Sequence, residues 1–218
     1  MNNYKEKNTV LYLRLLYPIW IVVAIFSVIY APSVIFVEHD PLATAANVAK
    51  HNTLLRLSTL GSIATAVLMV YVAYYLYILF ERVNKYCALL MLILALCSIP
   101  FVGFDVFKII AAGSSDAEYI YESLNISRNV QTVAEVFWGL WLFPLALLVI
   151  ESNYFPKILG YALIASCIGY LLAVAVKVAF PDYRNLLPIA DVLAFGELVF
   201  ALWIVFIGVK TDDKELQT

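Results

Sequence analysis

The stretch AEVFWGLWLFP, residues 134–144, decides the fold class of this chain. It places a carboxylate, Glu135, at the head of an otherwise apolar run of about 17 residues that ends near Ile150, roughly the minimum length that crosses a bilayer core. The same arrangement recurs at residues 196–203, GELVFALW, where Glu197 takes the place of the first acid. An acid inside such a run costs about 2.5 to 3.5 kcal/mol at mid-membrane. Two acids placed alike in two apolar runs are therefore the clearest candidates for a functional role.

Composition assigns the whole chain to the membrane. Of its 218 residues, 64% are hydrophobic, and the mean hydropathy is +0.89, whereas a soluble domain has about 45 to 50% apolar residues. The excess lies in long runs, so we expect one polytopic membrane domain covering residues 1–218, with the lipid bilayer as its partner. The net charge of −2 argues against a nucleic-acid partner, since nucleic-acid-binding domains are basic.

The apolar runs predict an all-α integral membrane protein, a bundle of six transmembrane helices. The segment between spans three and four carries Asp116, Glu118 and Glu122 among aromatic and aliphatic residues, which is typical of a short amphipathic helix lying on the membrane surface. The first run is too long for a cleaved signal peptide and is interpreted as the first span. The spans are predicted at about residues 13–37, 53–80, 86–110, 130–150, 158–178 and 186–209.

Prolines and glycines predict where the spans bend and where they pack closely. Pro32 is expected to kink the far end of span one, and Pro100 with Gly103 is expected to bend span three, because proline cannot continue the helical hydrogen bonding. In span five, Gly160 and Gly169 permit close approach of a neighbouring helix.

An even number of spans places both termini on one side of the membrane. The 14 Lys and Arg residues divide eight to six in favour of the side that holds the termini. Positively charged connections tend to stay in the cytoplasm, so we expect both termini to be cytoplasmic. The predicted location is the inner (plasma) membrane of a bacterial cell, which the chain crosses several times.

Three ionisable residues share depth and direction in the predicted bundle. Arg56, Glu135 and Glu197 lie in the outer halves of spans two, four and six, which run parallel, and we expect them to form one inward-facing ligand-binding pocket. One arginine pairs bidentately with one carboxylate at a time. The prediction is that Glu135 pairs with Arg56 and that Glu197 is protonated or bound to a ligand. The competing interpretation is structural, with each carboxylate protonated or paired inside the bundle.

Five further residues are candidates around this pocket. Trp141 and Trp203 follow the two acids at the same spacing, although packing and interfacial anchoring also explain them. Asp191 precedes the second acid by six residues, about 120° around the helix, and is placed at the edge of the pocket. Asp105 and Lys108, at i and i+3, are expected to pair on one helix face and to form part of the rim.

A stripe of small hydroxyls follows one face of span two, with Ser58, Ser62 and Thr65 at i, i+4 and i+7. Small hydroxyls on one face suit close helix packing in lipid. We take packing as the prediction; the alternative is that these side chains line a polar cavity.

Neither a catalytic nor a metal-binding motif is found in the sequence. Glu38, His39, Asp40 and His51 carry zinc-ligating atoms, but their spacing matches no closed zinc site. The chain has no nucleophile elbow, no phosphate-binding loop and no paired-cysteine motif. We therefore predict no catalytic residues, no metal and no cofactor.

The second half of the chain combines Trp, Pro and Gly at characteristic spacings. The stretches are GLWLFPL at 139–145, FPKILG at 155–160, GYL at 169–171, Gly196-Glu197, Leu202-Trp203 and Gly208. With them the chain resembles a known family of bacterial membrane proteins, the domain-of-unknown-function family forty-three eighty-six, in detail over spans four to six and by layout over the first half. The resemblance implies a six-helix integral membrane protein and implies no activity, because none is assigned to the family.

These observations favour a non-enzymatic membrane protein that binds or moves a small molecule or ion. The alternatives are an integral-membrane enzyme acting on a lipid, with Glu135 or Glu197 as general acid or base, and a helper subunit of another membrane protein. A small-molecule or lipid ligand is the second expected partner, and the oligomeric state is left open. Because the repeat relates two spans that run parallel, it is not the inverted repeat found in many transporters.

Overall fold

The computed structural model describes residues 2–105, 108, 113, 114 and 116–210, with side chains from residue 8 onward except that of Asp105. Within these ranges the chain is helical and contains no β-strand. We number the α-helices in chain order: α1 Asn2–Ala24, α2 Ala31–Ile35, α3 Pro41–Lys50, α4 Asn52–Phe80, α5 Lys85–Cys97, α6 Ile99–Val102, α7 Ala117–Leu140, α8 Leu142–Ser152, α9 Lys157–Val178 and α10 Leu187–Phe206.

Six helical segments are long and apolar enough to cross a membrane, which confirms the predicted fold class. Span one joins α1 to α2, span three joins α5 to α6, and span four joins α7 to α8. Spans two, five and six are built on α4, α9 and α10. The six segments are Asn8–Ile35, Asn52–Phe80, Lys85–Val102, Ala117–Ser152, Lys157–Val178 and Pro181–Phe206.

Spans one and three are irregular near their prolines, as the sequence predicts. In span one the helix widens into a π-helical turn at Ile25–Tyr30 and then continues as α2. Pro32 has no N–H to donate to the carbonyl four residues before it, and the distortion lies just ahead of it. In span three, α5 ends at Cys97 and the short α6 carries Pro100. The rest of the predicted third span lies outside the described residues, apart from Lys108.

Span four extends well beyond the thickness of a membrane. It covers Ala117–Ser152, 36 residues, or about 54 Å at 1.5 Å per residue, against a bilayer core of about 30 Å. The amphipathic helix predicted between spans three and four is present as the amino-terminal part of α7, continuous with the span rather than separate on the surface. Asp116 caps this helix, since its Oδ1 accepts hydrogen bonds from the N–H groups of Glu118 and Tyr119.

The polar connection between spans one and two forms a helix, α3, that packs against the protruding end of α7. Asp40 caps α3, with its Oδ1 accepting from the Ala43 N–H at 2.9 Å. Pro41 occupies the first helical position, where a missing N–H leaves no bond unmade. Val48 of α3 and Ile120 of α7 belong to a small apolar core outside the main one.

Spans five and six approach each other almost backbone to backbone. A Cβ placed at Gly169 would lie 2.6 Å from the carbonyl oxygen of Ala190, and one at Gly196 would overlap the carbonyl oxygen of Ala162. The predicted close packing at Gly169 is therefore confirmed, and Glu197 lies directly at this contact. The main apolar core includes the large buried side chains Leu13, Tyr17, Phe80, Trp141 and Phe200.

Span one holds the carboxyl end of span six. Arg14 Nε donates a hydrogen bond to the carbonyl oxygen of Ile204 at 3.1 Å, and a cation is favourable at the end of a helix where free carbonyls gather. Gly208 follows in the left-handed region at φ +87°. A Cβ there would lie 3.1 Å from the Arg14 guanidinium, so both the backbone conformation and the arginine favour glycine.

Candidate functional site

Glu197 is a buried carboxylate in a helix long and apolar enough to cross a membrane. It lies near the centre of α10, a helix of 20 residues, which is about the length that crosses the bilayer core. Its residue is only 9% exposed. Oε2 accepts a hydrogen bond from the Tyr170 hydroxyl at 3.3 Å, whereas Oε1 is buried and has no hydrogen-bond partner.

Ser166 fixes the backbone beneath this carboxylate. Its Oγ accepts a hydrogen bond from the Glu197 N–H at 3.0 Å. The same hydroxyl lies 3.0 Å from the Leu193 carbonyl oxygen and 3.2 Å from that of Ala194, both on α10. Ser166 of span five thus contacts the span-six backbone at Leu193, Ala194 and Glu197. This contact between the two helices sets the position of Glu197.

Two more polar atoms without partners belong to the cluster beside Glu197. The Tyr17 hydroxyl and the Trp20 indole Nε1 are buried and make no hydrogen bond. Tyr17 is fully buried and is close enough to interact electrostatically with Glu197. Its ring packs edge-to-face on Trp20 and Phe200, with centroids 5.5 and 6.3 Å away. Native interiors leave few polar atoms unpaired, so these three atoms are candidates for binding a ligand.

Glu135 forms an ion pair with span five. Both of its carboxylate oxygens accept hydrogen bonds from Lys177 Nζ, at 2.9 and 2.7 Å. The side chains are 15% and 39% exposed, respectively, so the pair lies at the edge of the bundle. Tyr170, whose hydroxyl donates to Glu197, lies seven residues before Lys177 on the same face of span five.

The prediction that Arg56 pairs with Glu135 is wrong. Arg56 is exposed, and its Nε donates to the Asn52 side chain one turn earlier at 2.7 Å. The buried face of α4 holds Leu55, Ser58 and Thr59 instead, which turns Arg56 away from the bundle interior. Lys177 takes the role that was assigned to the arginine.

The remaining pocket candidates are spread over the bundle. Trp141 is 1% exposed and packs edge-to-face on Trp20 at 6.4 Å, so it belongs to the aromatic cluster beside Glu197. Trp203 is partly buried and packs against the main core, and nothing described joins it to the acid. Asp191 is exposed on α10 and makes no described hydrogen bond or ion pair, which agrees with its placement away from the face of Glu197.

The predicted rim lies elsewhere in the molecule. Lys108 is 4% exposed and lines a small cleft with Phe36 and Arg128 beside the outer apolar core. It is therefore buried rather than at a pocket rim. The side chain of Asp105 lies outside the described residues, and so does its predicted pairing with Lys108.

Sequence reasoning missed five polar residues around the two acids. Tyr17 and Trp20 lie at the start of span one, where aromatic rings favour the membrane interface. Ser166, Tyr170 and Lys177 follow one another at i, i+4 and i+11 on α9, a spacing that places all three on one helix face. That polar stripe on an apolar helix is the signal that would have identified span five as the partner of both acids.

In the part of the chain that the structure describes, no three or more His, Cys, Asp or Glu side chains are grouped so that they could hold a metal ion. The polar atoms of the cluster are instead one carboxylate, hydroxyls and an indole N–H, which bind ligands by hydrogen bonds and charge.

Six spans around a buried carboxylate define an α-helical multi-pass membrane protein. The chain belongs to the family described as "Domain of unknown function (DUF4386)", whose model matches residues 15–208, and the resemblance seen in the sequence is thereby confirmed. An uncharacterised protein of Archaeoglobus fulgidus is 30% identical over 157 residues, which cover 72% of this chain and 86% of that protein. No solved structure matches the chain.

Proposed function

We propose that this protein binds, or moves, a small molecule or ion at Glu197 in the middle of the membrane, and that the ligand is a small cation or a proton donor. The observation that supports the proposal is the buried Oε1 of Glu197, which has no hydrogen-bond partner. Ionisable side chains inside membrane spans are costly and commonly serve ligand or ion pathways. A ligand that supplies a positive charge or a proton offsets that cost.

The surroundings of the carboxylate narrow the class of ligand. An ionised carboxylate only accepts hydrogen bonds, and the Tyr17 hydroxyl beside it can accept or donate. The ring of Tyr17 packs on those of Trp20 and Phe200, and aromatic faces attract cations. A small ammonium ion, a monovalent metal ion or a proton donor therefore suits the site better than an anion.

The polar groups of span five supply a path between the site and the membrane surface. Lys177 is in the last turn of α9, Tyr170 lies two turns deeper, and its hydroxyl contacts Glu197. A ligand that reaches the Glu135–Lys177 pair would next meet Tyr170 on the same face of span five, and Tyr170 is hydrogen-bonded to the buried acid.

The proposal is tested by ligand-dependent thermal unfolding of the purified protein in one detergent. The probes are Na⁺, K⁺, ammonium and tetramethylammonium, each titrated as its chloride salt. We expect at least one of them to raise the Tm of the wild type saturably, since a ligand at 100 times its Kd stabilises by about 2.7 kcal/mol. Glu197→Gln keeps the size of the side chain but removes its charge, and we expect it to abolish the shift.

Asp191→Asn is the matched control for that experiment. It removes an acid from the same helix at an exposed position, so it should respond to the probe as the wild type does. An equal shift in Glu197→Gln would contradict binding at this carboxylate, and a wild type that responds to none of the four cations would contradict a cation as the ligand.

We further propose that the protein lies in the plasma membrane with both termini in the cytoplasm, which the distribution of Lys and Arg supports. Cys87, Cys97 and Cys167 are first replaced by alanine, and single cysteines are then introduced at Lys85 or Asp182, which are exposed at the starts of spans three and six. A membrane-impermeant maleimide added to intact cells should label Asp182→Cys and spare Lys85→Cys until the cells are broken. The opposite labelling pattern would reverse the orientation.

A further inference from the structure

A second polar cavity lies among spans one to four, apart from the cluster at Glu197. Its volume is about 30 Å³, and a single water needs about 10 to 15 Å³ of such space, so more than one water-sized group fits. The polar side chains lining it are Ser62 and Thr65 of span two and Gln131 and Trp138 of span four. Spans five and six, which hold the Glu197 site, contribute none of the lining.

Two hydroxyls in this cavity have no hydrogen-bond partner. Ser62 is 2% exposed, and both its Oγ and the Oγ1 of Thr65 are buried and unbonded. One turn earlier on the same helix, Ser58 and Thr59 donate to the Leu55 carbonyl oxygen at 2.8 and 3.0 Å. Back-bonding of that kind is the usual solution for a hydroxyl in a membrane helix. Ser62 and Thr65 make no such bond to their own helix, and a buried hydroxyl without a hydrogen bond lowers the stability of the folded protein.

The other walls are formed where two spans depart from regular α-helix. Val28 lies in the π-helical turn Ile25–Tyr30 of span one, and Phe101 lies in α6, after the break in span three. Single π-helical turns occur frequently at functional sites because they open space beside a helix that is otherwise closely packed. Beside the cavity, spans one and two meet closely, since a Cβ at Gly61 would overlap the Ser27 hydroxyl.

We propose that this cavity binds a small uncharged polar group, a ligand unrelated to the one at Glu197. No charged side chain is among the residues that line it. The polar side chains are neutral groups that donate and accept hydrogen bonds, and the remaining walls are apolar. A hydroxyl or ester group on a short carbon chain fits this chemistry. It comes either from a free polyol such as glycerol or from the glycerol-ester region of a membrane lipid.

The test measures chemical access to the cavity and its protection. In the protein whose three native cysteines are replaced by alanine, Ser62→Cys and Thr65→Cys place a thiol in the cavity. Thr59→Cys is the matched control for Ser62→Cys, because Thr59 is as buried as Ser62 on the same helix but does not line the cavity. The protein is washed free of lipid in detergent, and its reaction with methyl methanethiosulfonate, a small neutral reagent, is followed by mass spectrometry.

We expect both cavity cysteines to react several-fold faster than the control. We also expect added glycerol or added phosphatidylcholine to protect them from the reagent. Since a ligand at ten times its Kd leaves about one site in eleven free, protection should slow the reaction about tenfold. Protection by glycerol identifies a free solute, and protection by phosphatidylcholine identifies a lipid. The proposal is overturned if both cavity cysteines react no faster than Thr59→Cys, or if they react fast and neither addition slows them.

Discussion

Gly196→Ala is expected to lower the stability of the bundle more than any other change of one methyl group considered for this protein. The added Cβ would overlap the Ala162 carbonyl oxygen and lie 2.6 Å from Ser166 Oγ. The first obstacle is backbone, and the second is held by the carbonyls of Leu193 and Ala194. Neither can rotate away, so spans five and six must separate. Overpacking costs about 1 to 3 kcal/mol and occasionally more, and we expect a loss at or above the upper end.

Thermal unfolding of the wild type and the variant in the same detergent measures this loss. Gly103→Ala is the control, since a Cβ at that glycine would meet nothing within 4 Å. We expect its Tm to stay close to that of the wild type. Similar losses for the two variants would show that the contact between spans five and six is looser than described.

Trp141→Ala is expected to cost about 3 to 5 kcal/mol, the range for removing a large aromatic side chain from a core. The side chain is 1% exposed and is among the largest fully buried ones in the protein. It contacts Trp20 edge-to-face, so its removal leaves a cavity beside the Glu197 cluster. Lipid cannot fill that cavity, and the dispersion contacts of the surrounding atoms are lost.

The matching tryptophan of the sequence repeat provides the comparison. Trp203 occupies the equivalent place after Glu197 but is only partly buried. We expect Trp203→Ala to lower the free energy of unfolding clearly less than Trp141→Ala, measured by thermal unfolding of both variants side by side. If both variants lose the same free energy of unfolding, the two tryptophans contribute equally to packing, and Trp141 matters no more to the bundle than Trp203.

The membrane spans could be predicted from the sequence because the bilayer imposes both their length and their apolar character. The bends near Pro32 and Pro100 followed from the missing N–H of proline. The helix α3 was missed, although Asp40 followed by Pro41 is a common start signal for a helix. The run of polar residues around α3 was given more weight than this local signal, and the outer apolar core that supports the helix cannot be seen in one segment alone.

The partners of the two acids could not be predicted in the same way. Spacing along a helix fixes which residues share a face, but it does not fix which helix that face meets. Depth and direction favoured Arg56 for Glu135, whereas the adjacent span five presents Lys177 at the same depth. A search for polar stripes on span five would have corrected the choice.

The hydroxyls on one face of span two fit both interpretations, since one of them is packed and two line a cavity. Ser58 is bonded to its own helix and buried in packing, as predicted, whereas Ser62 and Thr65 line a cavity, which was the alternative. The difference depends on irregular turns in spans one and three that face them. Their exact shape results from packing, and the sequence of span two carries no information about it.

The length of α7 has a mechanical consequence for the molecule. It runs without a break from Ala117 to Leu140, and helices bend sharply only at specific interruptions. Its protruding amino-terminal end packs against α3, while its other end carries Glu135 and Trp138. A displacement of the outer end would therefore tilt the inner end as well, because an unbroken helix moves as one rigid body. Trp141 keeps a helical backbone conformation, and its N–H donates to the Phe137 carbonyl oxygen at 3.0 Å, so the helical path continues into α8 and a tilt of α7 carries α8 with it.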